Sequence, residues 1–207
     1  MLHETLWREN LDLARACRGH PFVRGLDEGS LDPAAFRRYV AQDAFFLRAF
    51  LRAYAVALAR CDEVEHARQL HALMAGVLDE LTLHASYAGS LSIDLGRVTP
   101  YAATSAYTNF LLSTAWQAEP GRTLAAMTPC MRLYAYLGQS LAAELRPDHL
   151  YGDWIRTYSS AEFERLAATI EELLDGLADD TPAVRDAYRY AMQCELDFFS
   201  APLEIRG

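Results

Sequence analysis

The sequence predicts an all-α protein, a single-domain bundle of seven or eight helices over residues 1–207. Apolar residues recur at helical spacing along almost the whole chain, and the alternating β-branched runs typical of strands do not occur. No glycine- or serine-rich linker, repeat or low-complexity tract divides the chain. The 207 residues are 52% apolar and 23% charged, which is the composition of a folded globular protein.

Three helices are expected in the first half of the chain, over about residues 2–18, 33–60 and 62–89. Gly19 ends the first of them. Asp32-Pro33 is typical of an N-cap followed by a first-turn proline, so it starts the second. The segment 20–32 between these two helices is expected to be a loop or a short broken helix.

The second half carries further start signals of the same kind. Thr99-Pro100 repeats the cap-plus-proline pattern, Thr128-Pro129 could do so again, and Ser159 or Ser160 can cap the helix after it. The expected helices run over about residues 100–117, 129–145, 148–158, 161–176 and 182–199.

The basic residues exclude several kinds of chemistry. All 19 are arginine, so the chain can form no lysine Schiff base and has no phosphate-loop lysine. The formal net charge is −9 and basic residues form no run, so we expect no nucleic-acid partner. The motifs G-x-S-x-G, HExxH and G-x-G-x-x-G do not occur either.

We expect a soluble, cytoplasmic protein with no membrane partner. The first ten residues are interrupted by charges too often for a secretory signal. No stretch of 18 consecutive apolar residues occurs. The four cysteines lie far apart and form no C-x-x-C, so free thiols are expected at Cys17, Cys61, Cys130 and Cys194.

Two acidic residues occupy positions where the helical pattern demands apolar side chains. Asp43 lies in the middle of the apolar stripe of the 33–60 helix, and Glu195 repeats this on the final helix. A buried carboxylate must be paired, hydrogen-bonded or neutral. Asp43 therefore either belongs to a functional site or has a structural role, as a cap for another helix or as the partner of an arginine. Glu195 is either an acid/base of raised pKa or half of a buried ion pair.

Cys130 is the third candidate, with two structural alternatives. If Thr128 and Pro129 start a helix, Cys130 lies in its first turn, where the helix dipole lowers the pKa of a thiol. If the preceding helix continues instead, Pro129 frees a backbone carbonyl beside the thiol. A structural role is the ordinary expectation for any buried cysteine.

Metal ligands and aromatic residues give weaker signals. Glu63 and His66 form one Glu-x-x-His, and Glu80 and His84 share a helix face, but a di-iron bundle needs a second such element. We therefore predict no metal.

Four tyrosines in the third quarter of the chain can pack in the core or line a pocket for a flat aromatic ligand: Tyr107, Tyr134, Tyr136 and Tyr158.

The order of several short motifs resembles that of the TenA family, also called thiaminase II or aminopyrimidine aminohydrolase. The similar segments are His20-Pro21-Phe22-Val23, Tyr39-Val40-Ala41-Gln42-Asp43, Glu80-Leu81-Thr82-Leu83-His84, Ala106-Tyr107-Thr108-Asn109-Phe110-Leu111, Pro129-Cys130-Met131-Arg132-Leu133-Tyr134, Tyr151-Gly152-Asp153-Trp154-Ile155 with Tyr158, and Glu195-Leu196-Asp197-Phe198-Phe199. The resemblance runs almost end to end and implies a haem-oxygenase-like all-α fold.

The resemblance also implies a role for each candidate. Cys130 would be the nucleophile, as in the cysteine-bearing branch of the family, and Glu195 the acid/base. Asp43 would bind the edge of an aminopyrimidine. The remaining substrate-binding residues would be Phe46, Tyr107, Tyr134 and Tyr158. Phe46 stands where members often have tyrosine, and Phe199 replaces the usual tryptophan, which bears on substrate preference.

The expected function is a hydrolase of thiamin salvage, without metal or organic cofactor. It would replace the leaving group on the 5-methylene of a 4-amino-2-methylpyrimidine by hydroxyl, with aminomethyl-pyrimidine or thiamin as substrate. The resemblance implies a homotetramer or homodimer. Two alternatives stay open: an enzyme of the same fold with a divergent substrate or metal-dependent oxygenase chemistry, and a non-catalytic pyrimidine-binding or regulatory protein.

Overall fold

The structure is a computed structural model that describes residues 1–91, 93–143 and 145–204, without the side chains at positions 83, 86, 87, 90 and 91. Within these residues the chain is α-helical and contains no strand, which confirms the all-α prediction. The helices are α1 (Leu2–Glu9), α2 (Leu11–Arg18), α3 (Pro21–Glu28), α4 (Pro33–Ala59), α5 (Val64–Leu91), α6 (Ala102–Gln117), α7 (Pro120–Ala142), α8 (Gly152–Tyr158), α9 (Ala161–Leu177) and α10 (Pro182–Glu204). None of these described helices combines the length and the apolar character that crossing a bilayer requires.

The ten helices of the described chain exceed the seven or eight expected, for two local reasons. The opening helix is broken at Asn10, whose side-chain amide donates to the Leu6 carbonyl at 2.8 Å and so replaces a backbone partner. In the expected loop, Pro21 starts α3, and the ring Nδ1 of His20 accepts from the Phe22 N–H at 3.2 Å. Gly29, with φ of 70°, ends this helix.

Two helices begin where the sequence predicts, because a side chain caps each of them. The Asp32 carboxylate accepts from the Ala34 N–H at 3.0 Å at the start of α4. The Ser160 hydroxyl accepts from the Phe163 N–H at 3.1 Å at the start of α9. Each cap satisfies a backbone donor that has no partner within the helix.

The start predicted at Thr128-Pro129 is wrong, because both residues lie inside α7. The Thr128 hydroxyl donates back to the Leu124 carbonyl at 2.8 Å, a bond made within a continuing helix. Pro129 removes only the N–H that would have met the Ala125 carbonyl. The other bounds differ less: α6 begins at Ala102, after Tyr101 as N-cap, and α10 continues past Phe199.

Helices α4, α7 and α10 contact one another and carry the three candidate residues. Helix α7 also packs against α8 and α9, and α4 packs against α5 and α6. The core between them is rich in aromatic side chains, among which Tyr39, Phe50 and Phe199 are fully buried. The packing therefore brings residues more than 150 positions apart into one region of the core.

Gly138 allows α7 to approach the end of α8 closely. A Cβ atom at this position would overlap the backbone at Tyr158 and Ser159. Since backbone cannot rotate away as a flexible side chain does, any larger residue would force the two helices apart. The glycine thus allows the close approach of α7 to the backbone at the end of α8.

We expect Gly138→Ala to lower the free energy of unfolding by about 1–3 kcal/mol, because the new methyl group overlaps backbone. Chemical denaturation followed by circular dichroism measures this. The matched control is Gly89→Ala in α5, where no atom lies within 4 Å of the added Cβ and alanine should raise helix stability by up to about 1 kcal/mol. Equal stability of the Gly138→Ala variant and the wild type would contradict this account of the α7–α8 contact.

Candidate active site

Helices α7 and α10 bring a thiol and a carboxyl group close together. The thiol of Cys130 lies beside the carboxyl group of Glu195, and each shifts the pKa of the other. Glu195 is buried, with 2% of its surface exposed, whereas Cys130 is partly accessible and lines a small internal cavity. Cys130 is therefore the member of the pair that lines the cavity.

Tyr107 on α6 completes this arrangement from the other side of Glu195. Its hydroxyl donates to Glu195 Oε1 at 2.8 Å. Burial raises the pKa of Glu195 to about 8; the charge of Asp43 adds to this, while the Tyr107 hydrogen bond and the neighbouring Cys130 thiol oppose it. Burial and the charge of Glu195 raise the pKa of Tyr107 well above its ordinary value, so it remains a protonated donor. A carboxyl group titrating near pH 8 can both accept and donate a proton at neutral pH.

Of the two alternatives for Cys130, the structure shows the second: the preceding helix continues through Pro129, so the lowered pKa expected of a first-turn thiol does not apply. Cys130 lies in the interior of α7 and not in a first turn, so the positive end of a helix dipole does not reach it. Burial and the negative charges of Glu195, Glu80 and Asp43 instead raise the pKa of the thiol well above its ordinary value. The resting group is a thiol, and a base must remove its proton before it can attack.

Asp43 pairs with a histidine and not with an arginine. His84 Nε2 lies 2.7 Å from Asp43 Oδ2, and His84 Nδ1 lies 3.0 Å from the Glu80 carbonyl oxygen. A carbonyl and an ionised carboxylate can only accept, so both ring nitrogens donate and the ring is an imidazolium. Burial opposes this charge, but the charge and hydrogen bond of Asp43 outweigh it and raise the pKa of His84 to about 9.

Glu80 holds the side chain of Tyr158 at the same cavity. The Tyr158 hydroxyl donates to Glu80 Oε1 at 2.5 Å. Burial and the charge of Asp43 raise the pKa of Glu80, and His84 and the Tyr158 bond act against that shift. Glu80 and His84 were not among the predicted site residues. Their shared helix face and the Glu-x-x-x-His motif were the signals that could have identified them.

Aromatic side chains enclose the cavity. Described residues around it include Asp43, Leu47, Phe50, Glu80, Cys130, Met131, Tyr134, Tyr158 and Phe163. The Tyr134 and Tyr158 rings are 4.8 Å apart, edge to face, and the Tyr39 hydroxyl donates to that of Tyr134 at 3.2 Å. The free space inside is about 10 Å³, room for roughly one water molecule. An aromatic ligand therefore needs these walls to move apart.

The predicted residues fall into two groups by position. Asp43, Cys130, Tyr134 and Tyr158 line the cavity, whereas the contact of Glu195 with it runs through Cys130. Two further rings lie one layer out. Phe46 packs on Tyr107 at 4.8 Å and on Phe198 at 5.8 Å, and Phe199 packs on Phe22 at 5.6 Å and on Tyr134 at 5.8 Å. The replacements at Phe46 and Phe199 thus act on the walls through neighbouring rings.

One group of described residues has the ligand types of a metal site. Asp43, Glu80 and His84 each place one ligand atom within 4.8 Å of the others. In this structure His84 and Asp43 pair with each other, and the Glu80 carboxylate accepts from the Tyr158 hydroxyl. The expectation that the protein uses no metal stays a prediction, which metal analysis of the purified protein tests.

The sequence matches the model of a known family. The family model described as TENA/THI-4/PQQC matches residues 7–203. The chain belongs to this family. This confirms the family that the sequence motifs indicated, and places 197 of the 207 residues within the match.

Two relatives show how far sequence similarity extends within the TenA family. The chain is 34% identical over 208 aligned positions to the mitochondrial bifunctional TH2 protein of Arabidopsis thaliana, with 87% of this chain covered but only 34% of that protein. It is 31% identical to the aminopyrimidine aminohydrolase of Halalkalibacterium halodurans, covering 83% of this chain and 79% of the relative. The chain thus spans about a third of the plant protein and most of the bacterial one.

Solved structures confirm the fold. A protein of Silicibacter sp. TM1040 described as a TenA family transcription regulator superimposes with a TM-score of 0.93 at 27% identity, covering 99% of this chain and 97% of that one. A Shewanella denitrificans domain with a haem-oxygenase-like fold superimposes with a TM-score of 0.76 at 13% identity, covering 97% of this chain and 91% of that one. The haem-oxygenase-like fold predicted from the motifs is therefore present.

We expect the free energy of unfolding to fall as the pH rises from 5 to 9. The pKa of Glu195 is raised to about 8 in the native state from an ordinary value near 4.3. The stabilisation that protonated Glu195 contributes is thus fully present below that ordinary value and is lost as the pH rises through 8. The pKa of His84, raised to about 9, acts in the same direction. In Glu195→Gln the decrease in the free energy of unfolding between pH 5 and 9 should be smaller by roughly 2–4 kcal/mol.

Urea denaturation at pH 5, 7 and 9 measures this dependence. The control is Glu172→Gln on the exposed side of α9, which should follow the wild type at each pH. Parallel curves for the wild type and Glu195→Gln would show that the carboxyl group of Glu195 does not bind its proton more tightly in the folded state.

Proposed function

We propose that this protein is an aminopyrimidine aminohydrolase of the thiaminase II type. It replaces the leaving group on the 5-methylene of a 4-amino-2-methylpyrimidine by hydroxyl. The observation that carries the proposal is that Glu195, held by the Tyr107 hydroxyl, lies beside the Cys130 thiol, and that Cys130 and Asp43 line the same cavity. A buried base beside a nucleophile, oriented by a third group, is the arrangement that nucleophilic catalysis requires. The name of the Halalkalibacterium relative supports the same reaction class.

The proposed first step transfers the thiol proton to Glu195. Because the surroundings raise the pKa of Cys130 well above its ordinary value, the proton leaves as the sulfur attacks and no free thiolate accumulates. The ionised Glu195 carboxylate accepts this proton from the neighbouring thiol. Tyr107 keeps Glu195 oriented during the transfer.

Asp43 makes the pyrimidine ring susceptible to attack. Its carboxylate can accept from the 4-amino group and bind a protonated ring nitrogen, which draws electrons from the ring carbons. The imidazolium of His84 keeps Asp43 in place from the other side. Tyr158, held by Glu80, and Tyr134 are positioned to pack against the ring and exclude water.

The remaining steps conserve atoms and charge. Sulfur adds to the ring carbon beside C5, and the electron pair it displaces moves through the ring. The bond between the 5-methylene and its amine then breaks, and the amine leaves with the proton held by Glu195. Water adds to the methylene and gives a proton back to Glu195. Elimination of sulfur, which recovers its proton, yields the hydroxymethyl-pyrimidine.

We expect Cys130→Ala to lower kcat/KM by at least about 1,000-fold and Glu195→Gln by about 100- to 10,000-fold. The assay incubates purified protein with 4-amino-5-aminomethyl-2-methylpyrimidine and follows the product by chromatography. Cys61→Ala, which removes another partly exposed thiol, is the control and should retain full activity. Turnover that survives Cys130→Ala unchanged would defeat the assigned nucleophile, and tight binding without any turnover would favour a pyrimidine-binding protein instead.

The pH dependence tests the role of Glu195 separately. If ionised Glu195 removes the thiol proton, kcat/KM should rise with pH through an apparent pKa near 8, the value to which burial raises this carboxyl group. The apparent value belongs to the cluster of interacting acids and His84 as a whole. A kcat/KM that falls between pH 7 and 9, measured in the wild type and corrected for loss of folded protein, would show that the free enzyme needs Glu195 protonated.

A further inference from the structure

An open groove of about 260 Å³ lies beside the internal cavity. It runs between α5 and α9, and α7 and α8 contribute to its walls. The described residues along it are Leu73, Gly76, Val77, Asp79, Glu80, Met131, Thr157, Ser160, Glu162, Phe163 and Leu166. None of the proposed steps uses this space.

The groove and the internal cavity share one wall. Glu80, Met131 and Phe163 line both spaces. Met131 has an unbranched side chain that can change rotamer readily, so this wall can open. A pyrimidine ring bound beside Cys130 would then carry its 5-substituent out through the wall, into the groove and toward solvent.

The charge along the groove is of one sign. Asp79 and Glu162 are exposed acids at its edge, and Glu80 lies at the shared wall. Among the described residues that line the groove there is no arginine and no histidine. The arginine on the neighbouring turn of α7, Arg132, is held by Glu164 and Glu171. An anionic group in the groove would be repelled by these acids, and a cationic one attracted.

We propose that this groove binds the 5-substituent of the substrate and selects neutral or cationic groups over anionic ones. This inference rests on the proposed function. It assigns Asp79 and Glu162 to the recognition of the leaving group, and it makes thiamin, whose thiazolium is cationic, a better ligand than its phosphate ester. The two ligands share the same pyrimidine, so the difference between their affinities reports on the groove alone.

Calorimetric titration of the full-length Cys130→Ala protein measures this selectivity without turnover. We expect thiamin to bind at least about 10-fold more tightly than thiamin monophosphate at low ionic strength, with a smaller ratio in 0.5 M salt because ions screen exposed charges. Adding Asp79→Asn and Glu162→Gln should reduce the ratio about 3- to 10-fold. The matched control adds Glu65→Gln and Glu172→Gln, which remove the same charge at exposed positions outside the groove and should leave the ratio unchanged.

A steric variant tests the same assignment independently of charge. A Cβ atom at Gly76 would lie 2.7 Å from Leu166 Cδ1, so Gly76→Leu should fill the groove near its middle. We expect it to weaken thiamin binding about 10-fold or more. Binding of the shorter aminomethyl-pyrimidine, which stays in the inner cavity, should change less than about 2-fold. Thermal denaturation confirms that each variant is folded.

The outcomes separate this inference from the proposed function. If aminomethyl-pyrimidine binds and thiamin does not, or if thiamin and its phosphate bind equally, the groove does not have the assigned role, while the proposed reaction is unaffected. Equal weakening of both ligands by Gly76→Leu would also overturn the assignment. If no aminopyrimidine binds at all, the proposed function itself fails.

Discussion

The burial of three carboxyl groups around one small cavity is the constraint on which the rest of the site depends. Asp43, Glu80 and Glu195 come from α4, α5 and α10, and each loses most of its contact with water. Ionising all three together is costly at such short range. The surroundings resolve this in two ways: His84 supplies a positive charge to Asp43, and the pKa values of Glu80 and Glu195 rise.

This division gives Asp43 and Glu195 different properties. Asp43 is paired with the imidazolium of His84. Glu195 has a phenol donor and a neighbouring thiol but no cationic partner among the described residues, and its pKa rises to about 8. One acid is thereby suited to hold a ligand and the other to exchange protons near neutral pH. The same negative surroundings keep Cys130 protonated, so the nucleophile depends on Glu195 for activation.

The helical core positions these groups through rigid contacts. Gly138 lets α7 lie against the end of α8, which brings Tyr158 to Glu80. The aromatic rings from α4, α7, α8 and α10 pack on one another and leave space for roughly one water molecule beside Cys130. Substrate binding in such a core must displace side chains, and the wall formed by Met131 and Phe163 faces the open groove.

The sequence by itself determined the all-α class, the starts of α4 and α9, and the two acids on apolar faces. These features are local: a cap or a helical period depends on residues within a few positions of one another. Tertiary structure decided what local patterns cannot contain. Thr128-Pro129 has the form of a helix start, yet α7 continues through both residues because it packs against helices on both of its sides. His84 and Asp43 meet across two helices, and the raised pKa values of Glu195 and Cys130 follow from desolvation and from charges brought together by folding.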